Sequence, residues 1–466
     1  SLRRQRQMCI RDRANMPEVE WIQPWYEKFL FNDLAAGAIQ SGNFALSDTT
    51  IWNRGIKGQG IVMGHIDTGI RTSHDAFRDP AVSITTWGDY PSHRKVIAYL
   101  PYIDGNPGTS DSSQFGDNDG HGSHTAGSIA GSDEYVGGTS NYDGMAEAAK
   151  IFHIDGGSAA NSDGSILLPI YMDYWYWERA WSGHWGQTDS ARGISNSWGD
   201  TMGAYSYDFF CKQHDNFVYN HPDFVILFSA GNDNWLGSAG DNTMGSDAAC
   251  KNVIGVGASD GASFALASYS LGGPTFDGRY KPDIVTPGGD ADEIMSVDGA
   301  TNNQYTNMRG TSMACPIAAG AVAMVLQYLE EGWYPTGTKV AANAIKRPWA
   351  STIRAILISS TLLPGGNLVD NNWGYGRICL DSTLYFQGDT KGLGIVQDEF
   401  GVETGEYVEY EISVNNSSVP LRVALAWTDY PPFPQLDPLD PYGEVREGLA
   451  LVNDLDLTVI DPNGNE

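Results

Sequence analysis

From about residue 50 onwards, short apolar runs alternate with stretches of helical pattern, and this alternation restricts the chain to few folds. Each run ends in Gly, Ser, Asn or Asp, and helical patterns occupy 166–182 and 206–220. Apolar strands that alternate with helices predict an α/β fold, in which helices cover both faces of a parallel sheet. The runs are GIVMGHIDTG (60–69), KIFHID (150–155), GISNSW (193–198), FVILFSAGN (224–232) and NVIGVGA (252–258).

Three polar side chains occur where these predicted strands end. Asp67, Ser197 and Asn232 each fall at or just after the end of an apolar run. In open parallel sheets, active sites gather at the carboxyl ends of the strands. The sequence therefore predicts a site at this edge of the sheet.

After about residue 385 the pattern changes to an alternation of apolar and polar residues with period two. Such alternation without intervening helices is typical of antiparallel sheets with one buried face. We therefore predict an antiparallel β-sandwich over 386–466, which is incomplete because the last residues, DPNGNE, are a turn signal with no closing strand. The alternating segments are EYVEYEISV (406–414), PLRVALAWTDYP (420–431) and LALVNDLDLTVIDPNG (449–464).

The composition excludes some partners. The chain has 57 acidic against 28 basic residues, whereas phosphate binding needs basic patches, so no nucleic acid partner is expected. We interpret the acidity as a solvated surface that keeps the protein soluble. Apart from the buried-looking helix at 313–329, no apolar run is long enough to span a bilayer, so no membrane partner is predicted.

The N-terminal segment and the cysteines are atypical. Residues 1–13 carry five arginines and no apolar core, so this segment is not a signal peptide and is interpreted as non-native sequence. The five cysteines form neither a disulfide framework nor a CxxC metal motif. One disulfide between Cys211 and Cys250, whose segments are expected to be neighbours, remains a hypothesis.

Ser312 lies in RGTSMACPIAAGAVAMVLQYLEE (309–331), between a glycine-bearing turn and a long apolar run. Serine is favoured at helix N-caps, so Ser312 is either the cap of a buried helix or a nucleophile placed where a helix begins. A Gly-Thr-Ser-Met string is a weak motif by itself. Other segments have to decide between the two interpretations.

A base and a carboxylate occur elsewhere in the chain. His121, in DGHGSHTAGSIAG (119–131), lies between glycines that allow backbone or substrate to approach. The alternative interpretations of His121 are a surface-loop histidine and a metal-binding pair with His124. The sequence shows neither HExxH spacing nor an evident third zinc ligand. Asp67, in GHIDTGI, lies at the tip of an apolar strand, where a lone charge needs a partner. The alternative interpretation of Asp67 is an aspartate that caps a turn.

Taken together, these residues are far more specific than any of them alone. The segments GHIDTGI, DGHGSHTAGSIAG, LFSAGNDN and RGTSMACP, with Asp67, His121 and Ser312 in that order, resemble the subtilisin family of serine endopeptidases. The resemblance spans 32–464. It is greatest to the oxidatively stable alkaline subtilisins with a C-terminal β-sandwich. The segments that carry this closer resemblance are FDGRYKPDIVTPGG (276–289), NNWGYGRICLD (371–381) and LVNDLDLTVIDPNG (451–464).

The resemblance implies a role for each catalytic residue. Asp67 orients His121, which takes the proton of Ser312 and returns it to the leaving amine. Ser312 attacks the scissile carbonyl, and its backbone N–H and the Asn232 side chain hold the oxyanion.

The resemblance also implies a domain organisation and a localisation. Residues 14–31 are the end of a propeptide, and 32–385 are a subtilisin-like three-layer catalytic domain. Self-cleavage is expected near Phe31–Asn32, and the protein is expected to be secreted and extracellular.

The same resemblance implies a substrate cleft for proteins or peptides on a monomeric enzyme. Ser197, Trp198 and Gly199 pair with the substrate backbone, and Trp198 replaces the more usual Leu. The second substrate strand falls near 156–164. Ser229, Ala230 and Gly231 form one wall of the primary pocket, with room for large apolar side chains.

Bound structural calcium is implied by the resemblance alone. In NDLD (453–456), Asp454 and Asp456 supply carboxylates two residues apart, as does DNDG (117–120). Neither fits the EF-hand pattern, and turn or cap residues are the alternative.

Two other functions stay open at this point. The first is an inactive relative that binds peptides, although all four catalytic positions are filled. The second is a peptide ligase or processing protease, which uses the same acyl-enzyme.

Overall fold

A central sheet of eight strands organises the molecule. Seven of the strands are parallel, and β2 runs antiparallel to β3 at one edge, in the order β2-β3-β4-β1-β5-β6-β7-β8. The computed structural model describes residues 31–44, 48–103, 115–137, 142–158, 164–199, 207–232, 243–364, 369–414, 417–432 and 450–464. The strands are β1 Val62–Asp67, β2 Gly88–Asp89, β3 Val96–Pro101, β4 Lys150–Asp155, β5 Gly193–Asn196, β6 Val225–Ser229, β7 Ile254–Ser259 and β8 Ile284–Pro287.

Helices and one small hairpin complete the architecture. The hairpin consists of β9 Ile294–Val297 and β10 Tyr305–Met308. A π-helical segment, Asp173–Glu178, leads directly into α3. The helices are α1 Phe31–Ser41, α2 His121–Ala130, α3 Arg179–Gly186, α4 Phe209–Asn220, α5 Ser246–Ala249, α6 Thr311–Glu330 and α7 Ala350–Ser359.

Helices cover both faces of the sheet, which confirms the predicted α/β class with a parallel sheet. Ser195 on β5 points towards α6, where its hydroxyl lies 3.5 Å from the Cys315 thiol. Phe228 on β6 is paired with the residue after Ser195, so its side chain points to the opposite face. There it contacts the rings of Trp177 and His214, from the π-helical segment and α4.

Helix α6 lies in the middle of the domain. By length and composition it could cross a membrane, but 94 % of its most apolar window is buried inside the protein. It contacts strands β5 to β8 on one side and α2 on another. Its apolar character therefore follows from burial on most sides, as the sequence predicted.

Cys211 at the start of α4 and Cys250 just after α5 are bonded as a disulfide, with Cα atoms 5.2 Å apart. The bond joins two helices on the face of the sheet that also carries Trp177 and His214. The other two cysteines that the structure describes, Cys315 and Cys379, are free and buried.

The predicted β-sandwich is not confirmed. In the described parts of 386–466, no helix or strand is formed beyond a helical turn, and adjacent residues such as Tyr407 and Val408 are both exposed. Period-two alternation predicts a strand only where a neighbour accepts its main-chain hydrogen bonds. The predicted non-native segment 1–13 and nearly all of the propeptide tail 14–31 lie outside the described residues, and α1 begins at Phe31.

One buried ion pair links the C-terminal region to the α/β domain. The Lys251 ammonium lies 2.6 Å from Asp429 Oδ2, and both side chains are at most 3 % exposed. Asn252 exchanges two hydrogen bonds with the Asp429 backbone, at 2.8 Å each. The Asp429 carboxylate also accepts the backbone N–H groups of Val452 and Asn453. Two distant C-terminal segments therefore meet at one carboxylate.

We predict that Asp429→Ala destabilises the protein by about 3–5 kcal/mol, because it leaves the Lys251 ammonium buried without its partner. The measurement is the free energy of unfolding from a urea titration. Asp456→Ala removes an exposed carboxylate from the same region and should change stability by less than about 0.5 kcal/mol. Equal stabilities of the two variants would contradict the anchoring role.

Candidate active site

Asp67 and His121 are in direct contact at the carboxyl end of the central strand. Asp67 is the last residue of β1 and is fully buried. Its Oδ1 lies 2.7 Å from His121 Nδ1 and accepts the Thr68 N–H at 2.8 Å. Its Oδ2 accepts the Thr125 hydroxyl at 3.0 Å. The buried carboxylate that the sequence required to be paired is thus paired with the histidine that the sequence singled out.

Two glycines bring the start of α2 against β1. Gly120 precedes the helix with φ +95°, a left-handed conformation that favours glycine. A Cβ atom on Gly122 would lie 2.2 Å from the carbonyl oxygen of Gly69. The expected close backbone approach beside His121 is confirmed for Gly122, whereas Gly120 is required by its left-handed conformation.

Asp67 keeps His121 basic. Burial by itself disfavours the charged imidazole, but the charge of Asp67 and their hydrogen bond outweigh burial and raise the pKa of His121 to about 9. The same contact lowers the pKa of Asp67 to about 2 against the opposing effect of burial. Because 26 % of the His121 side chain is exposed, water screens part of this interaction, and about 9 is an upper bound.

His124 is a structural residue and not a metal partner of His121. Its Nε2 lies 3.0 Å from the carbonyl oxygen of Ile294 and 3.2 Å from that of Thr306. Carbonyl oxygens only accept, so Nε2 carries a proton and ties α2 to the β9–β10 hairpin.

Ser312 is the second residue of α6, after Gly310 and Thr311. Its hydroxyl donates to the Ser197 carbonyl at 3.1 Å, and the Ser197 hydroxyl donates to the Ser312 carbonyl at 2.8 Å. Pro316 has no N–H, so the Ser312 carbonyl lacks its usual helical hydrogen bond. The Ser197 hydroxyl supplies a donor in its place. The start of α6 is therefore joined to the end of β5.

Among the described residues, the Ser312 hydroxyl makes no hydrogen bond to His121, and its partner is the Ser197 carbonyl. Catalytic hydrogen bonds in ligand-free enzymes are often long and tighten when substrate binds. The roles assigned to His121 and Ser312 accordingly remain predictions.

Asn232 is held with its amide N–H₂ group free. The backbone N–H of Thr311 lies 2.9 Å and its hydroxyl 3.1 Å from Asn232 Oδ1. A backbone N–H only donates, which identifies the facing atom as the oxygen. In the part of the chain that the structure describes, neither Asn232 Nδ2 nor the Ser312 N–H has an acceptor. Two donors are therefore available to an oxyanion.

The predicted substrate-binding residues frame this site on two adjacent strands. Ser197, Trp198 and Gly199 directly follow β5, and a Cβ on Gly199 would meet no atom within 4 Å. Trp198 packs edge-on against Phe228, with ring centroids 4.9 Å apart. The bulky side chain that replaces the usual Leu thus lies against the sheet.

The residues predicted to form the pocket wall lie at and after the end of β6, and their role in a pocket stays a prediction. Ser229 ends the strand, Ala230 is fully buried, and Gly231 donates its N–H to the Thr311 hydroxyl at 3.0 Å. Of the second predicted substrate strand, 156–158 and 164 are described, and the Gly156 N–H donates to the Asp67 carbonyl at 2.9 Å.

The predicted calcium ligands do not fit a calcium ion, which takes six to eight oxygen ligands. Asp454 and Asp456 are exposed, and no three His, Cys, Asp or Glu side chains of the described residues are grouped to hold a metal. Asp117 of the DNDG segment already accepts from Thr68, Asp119, Gly120 and Ser123, as a capping residue does. Calcium binding stays a prediction.

Sequence reasoning missed two residues that hold the site together. Thr125 lies one helical turn after His121, and Thr311 immediately precedes Ser312. For Thr125 the spacing from His121 was the available signal, because i, i+4 residues share one face of a helix. Thr311 is adjacent to Ser312 and carries no such signal.

The comparison with known families agrees with this geometry. A family model described as "Peptidase_S8: Subtilase family" matches residues 58–376, a stretch that contains Asp67, His121, Asn232 and Ser312. The chain belongs to the subtilase family. Subtilases are serine peptidases, and the resemblance to the oxidatively stable subgroup stays a prediction.

Individual relatives are 25 % and 28 % identical to this subtilase over the regions that align. The Serine protease/ABC transporter B family protein tagA of Dictyostelium discoideum is 25 % identical over 95 % of this chain, which spans 29 % of that protein. Subtilisin DY of Bacillus licheniformis is 28 % identical over 64 % of this chain and 85 % of its own. The solved structure of the Prenylagaramide maturation protease PagA covers 71 % of this chain and 94 % of its own, with 18 % identity and a TM-score of 0.49.

We predict that kcat/KM rises with pH in one step, with a midpoint at or below about 9. The base His121 must be neutral to accept a proton, and Asp67 raises the pKa of His121. Asp67→Asn should lower kcat by about 10⁴ and shift the midpoint towards the ordinary histidine value. The measurement is a pH series of kcat/KM on a peptide substrate.

Asp119→Asn is the matched control, because it removes an exposed charge near His121 without touching the Asp67 contact. It should shift the midpoint less than Asp67→Asn does and preserve kcat. Equal effects of both variants would contradict a specific Asp67–His121 interaction.

We predict that Thr311→Val lowers kcat about 10-fold, because Asn232 Oδ1 loses one of its two donors and Nδ2 is aimed less well. Asn232→Ala should cost about 10²–10³ in kcat, the range known for the equivalent donor in subtilisin. Thr311→Ser retains the hydroxyl and should preserve kcat. The measurement is steady-state kinetics, and a fall in kcat for Thr311→Ser as large as that for Thr311→Val would contradict this role.

Proposed function

We propose that this subtilase domain is a serine endopeptidase that hydrolyses peptide bonds in proteins through an acyl-enzyme on Ser312. The observation that carries the proposal is the buried Asp67–His121 pair at the same sheet edge as the start of α6 and the free donors of Asn232 and Ser312. No other described cluster offers a base, a nucleophile and oxyanion donors together.

Acylation begins with attack of Ser312 Oγ on the scissile carbonyl carbon. The hydroxyl proton goes to His121 Nε2, and Asp67 stabilises the imidazolium through Nδ1. The carbonyl oxygen becomes an oxyanion that accepts from Asn232 Nδ2 and the Ser312 N–H. The tetrahedral intermediate then collapses, the C–N bond breaks, and His121 gives its proton to the leaving amine.

Substrate binding supplies a route by which Ser312 reaches His121. The Ser197 carbonyl now accepts the Ser312 hydroxyl at 3.1 Å. A substrate that adds as a strand beside Ser197–Gly199 presents backbone N–H groups to such carbonyls. A substrate N–H that takes this acceptor releases the hydroxyl, whose remaining partner is the imidazole.

Deacylation distinguishes hydrolysis from ligation. His121 takes a proton from water, the hydroxide adds to the acyl carbon, and Ser312 leaves as its protonated form. An amine in place of water gives peptide ligation by the same steps. Mass analysis of products formed with an added amine nucleophile separates the endopeptidase from a ligase, since a ligase yields mainly the aminolysis product.

We further propose that the protein acts outside the cell on protein or peptide substrates. The Cys211–Cys250 disulfide supports this localisation, because disulfides form and persist in oxidising compartments. The acidic surface, with a formal net charge of −29, is consistent with a solvated monomer.

We predict that a serine-directed fluorophosphonate adds one covalent adduct to this chain and none to Ser312→Ala, because only an activated serine reacts. The measurement is intact mass before and after treatment. Ser197→Ala, whose hydroxyl touches α6 but is not the nucleophile, should still be labelled. An unlabelled native chain with a folded circular dichroism spectrum would support the inactive peptide-binding alternative instead.

A further inference from the structure

Two buried histidines lie behind the catalytic carboxylate and have no part in the reaction described above. His65 precedes Asp67 by two residues on β1, and His153 is its register partner on β4. Both side chains are at most 1 % exposed, and their Nδ1 atoms lie 3.0 Å apart. That distance is a hydrogen bond, so one of the two Nδ1 atoms carries a proton and the other accepts it.

Thr125 connects this histidine pair to Asp67. Its hydroxyl oxygen lies 2.9 Å from His65 Nε2 and 3.0 Å from Asp67 Oδ2. Among the described residues, Thr125 is the single donor to Oδ2. The hydroxyl has one proton, and the carbonyls of His121 and Gly122, both at 3.1 Å, also compete for it.

The direction of the hydrogen bonds along the series His153–His65–Thr125–Asp67 decides whether Asp67 Oδ2 receives a donor. If His65 Nε2 were unprotonated, it would take the Thr125 proton, and Oδ2 would face a hydroxyl lone pair. If Nε2 is protonated, His65 donates to Thr125, whose proton is then available to Asp67. The ionised carboxylate, which only accepts, favours the second order.

His153, at the other end of this hydrogen-bonded series, favours the same direction of the hydrogen bonds. With Nε2 of His65 protonated, its Nδ1 accepts from His153 Nδ1, and His153 Nε2 is left without a proton. That atom is buried and has no partner among the described residues. A buried acceptor without a partner is less rare than a buried N–H without one. All donors therefore point towards Asp67.

Both histidines act as neutral donors. Burial lowers the pKa of His65 to about 4, although Asp67 at 3.8 Å raises it and His121 lowers it further. Burial also holds the pKa of His153 well below its ordinary value. The Tyr99 ring contacts His153, and its hydroxyl lies 2.9 Å from Asp155 Oδ2. Burial raises the pKa of Asp155 well above its ordinary value, which disfavours a charge on that carboxyl group.

We propose that His65 and His153 are positioning residues that fix the direction of the Thr125 hydrogen bond to Asp67 Oδ2. The carboxylate is then held at Oδ2 by Thr125 and at Oδ1 by the Thr68 N–H, with its remaining lone pairs aimed at His121. This inference rests on the proposed function and names residues that act on the triad through Thr125.

The test measures how fast the fluorophosphonate inactivates variants of the full chain, together with kcat and KM. Thr125→Val removes the hydroxyl at nearly constant size and should slow inactivation and kcat about 10- to 100-fold, with KM unchanged. Thr125→Ser keeps the hydroxyl and should stay within about threefold of the native rate. His65→Leu removes the donor to Thr125 and should slow inactivation by a factor similar to that of Thr125→Val.

A double-mutant cycle separates positioning from a general structural effect. If His65 acts through Thr125, His65→Leu should cost nothing further in the Thr125→Val background, whereas independent structural losses multiply. Thermal melting of each variant identifies any that does not fold. If His65→Leu does not fold, Thr125→Val with Thr125→Ser still tests the Thr125–Asp67 hydrogen bond on which the inference depends.

Two results would overturn the inference while the proposed function stands: a Thr125→Val variant that reacts as fast as Thr125→Ser, or multiplicative losses in the cycle. A native chain that does not react at all overturns the proposed function, and this inference with it.

Discussion

The arrangement of this site depends on a carboxylate that is fully removed from water. Asp67 lies at the end of the central strand, where an ionised group without partners would be costly. The surrounding structure supplies those partners from three directions: the next residue of the chain, the start of α2 and the face of α2 one turn later. Each partner fixes an element, so pairing one charge also fixes where the imidazole lies.

The sequence was sufficient for the parts of the fold that depend on local pattern. Apolar runs that end in small polar residues predicted the parallel sheet, and the apolar stretch after Ser312 predicted a buried helix, which α6 is. A partner for Asp67 was predicted because a buried charge needs one, and the resemblance to subtilisins implied that this partner is His121. By contrast, the contact of His65 with His153 could not be predicted, since the two residues lie 88 positions apart and meet only through strand register.

The C-terminal region shows the limit of such patterns. Alternation of apolar and polar residues with period two indicates that a segment has two different faces. It does not indicate that another strand is present to pair with it. Asp429 was an unremarked residue in one of those segments, yet it makes the densest set of contacts there, to a lysine nearly 180 positions earlier. Its partners are backbone groups, the side chains of Asn252 and Asn453 and one ammonium, and no local pattern identifies them.

The exposed C-terminal segments affect how well the protein resists proteolysis. Phe400 is 99 % exposed at a bend of the chain, where its N–H donates to Asp398 Oδ1 at 2.8 Å. Under the proposed endopeptidase function, exposed segments of this kind are candidate substrates for a second molecule. Cleavage by a second molecule requires local opening, whose frequency depends on how firmly a segment is fastened. Under the same proposal, segments held by the buried Lys251–Asp429 ion pair open less often, and are cleaved more slowly, than the exposed segments that precede Asp429.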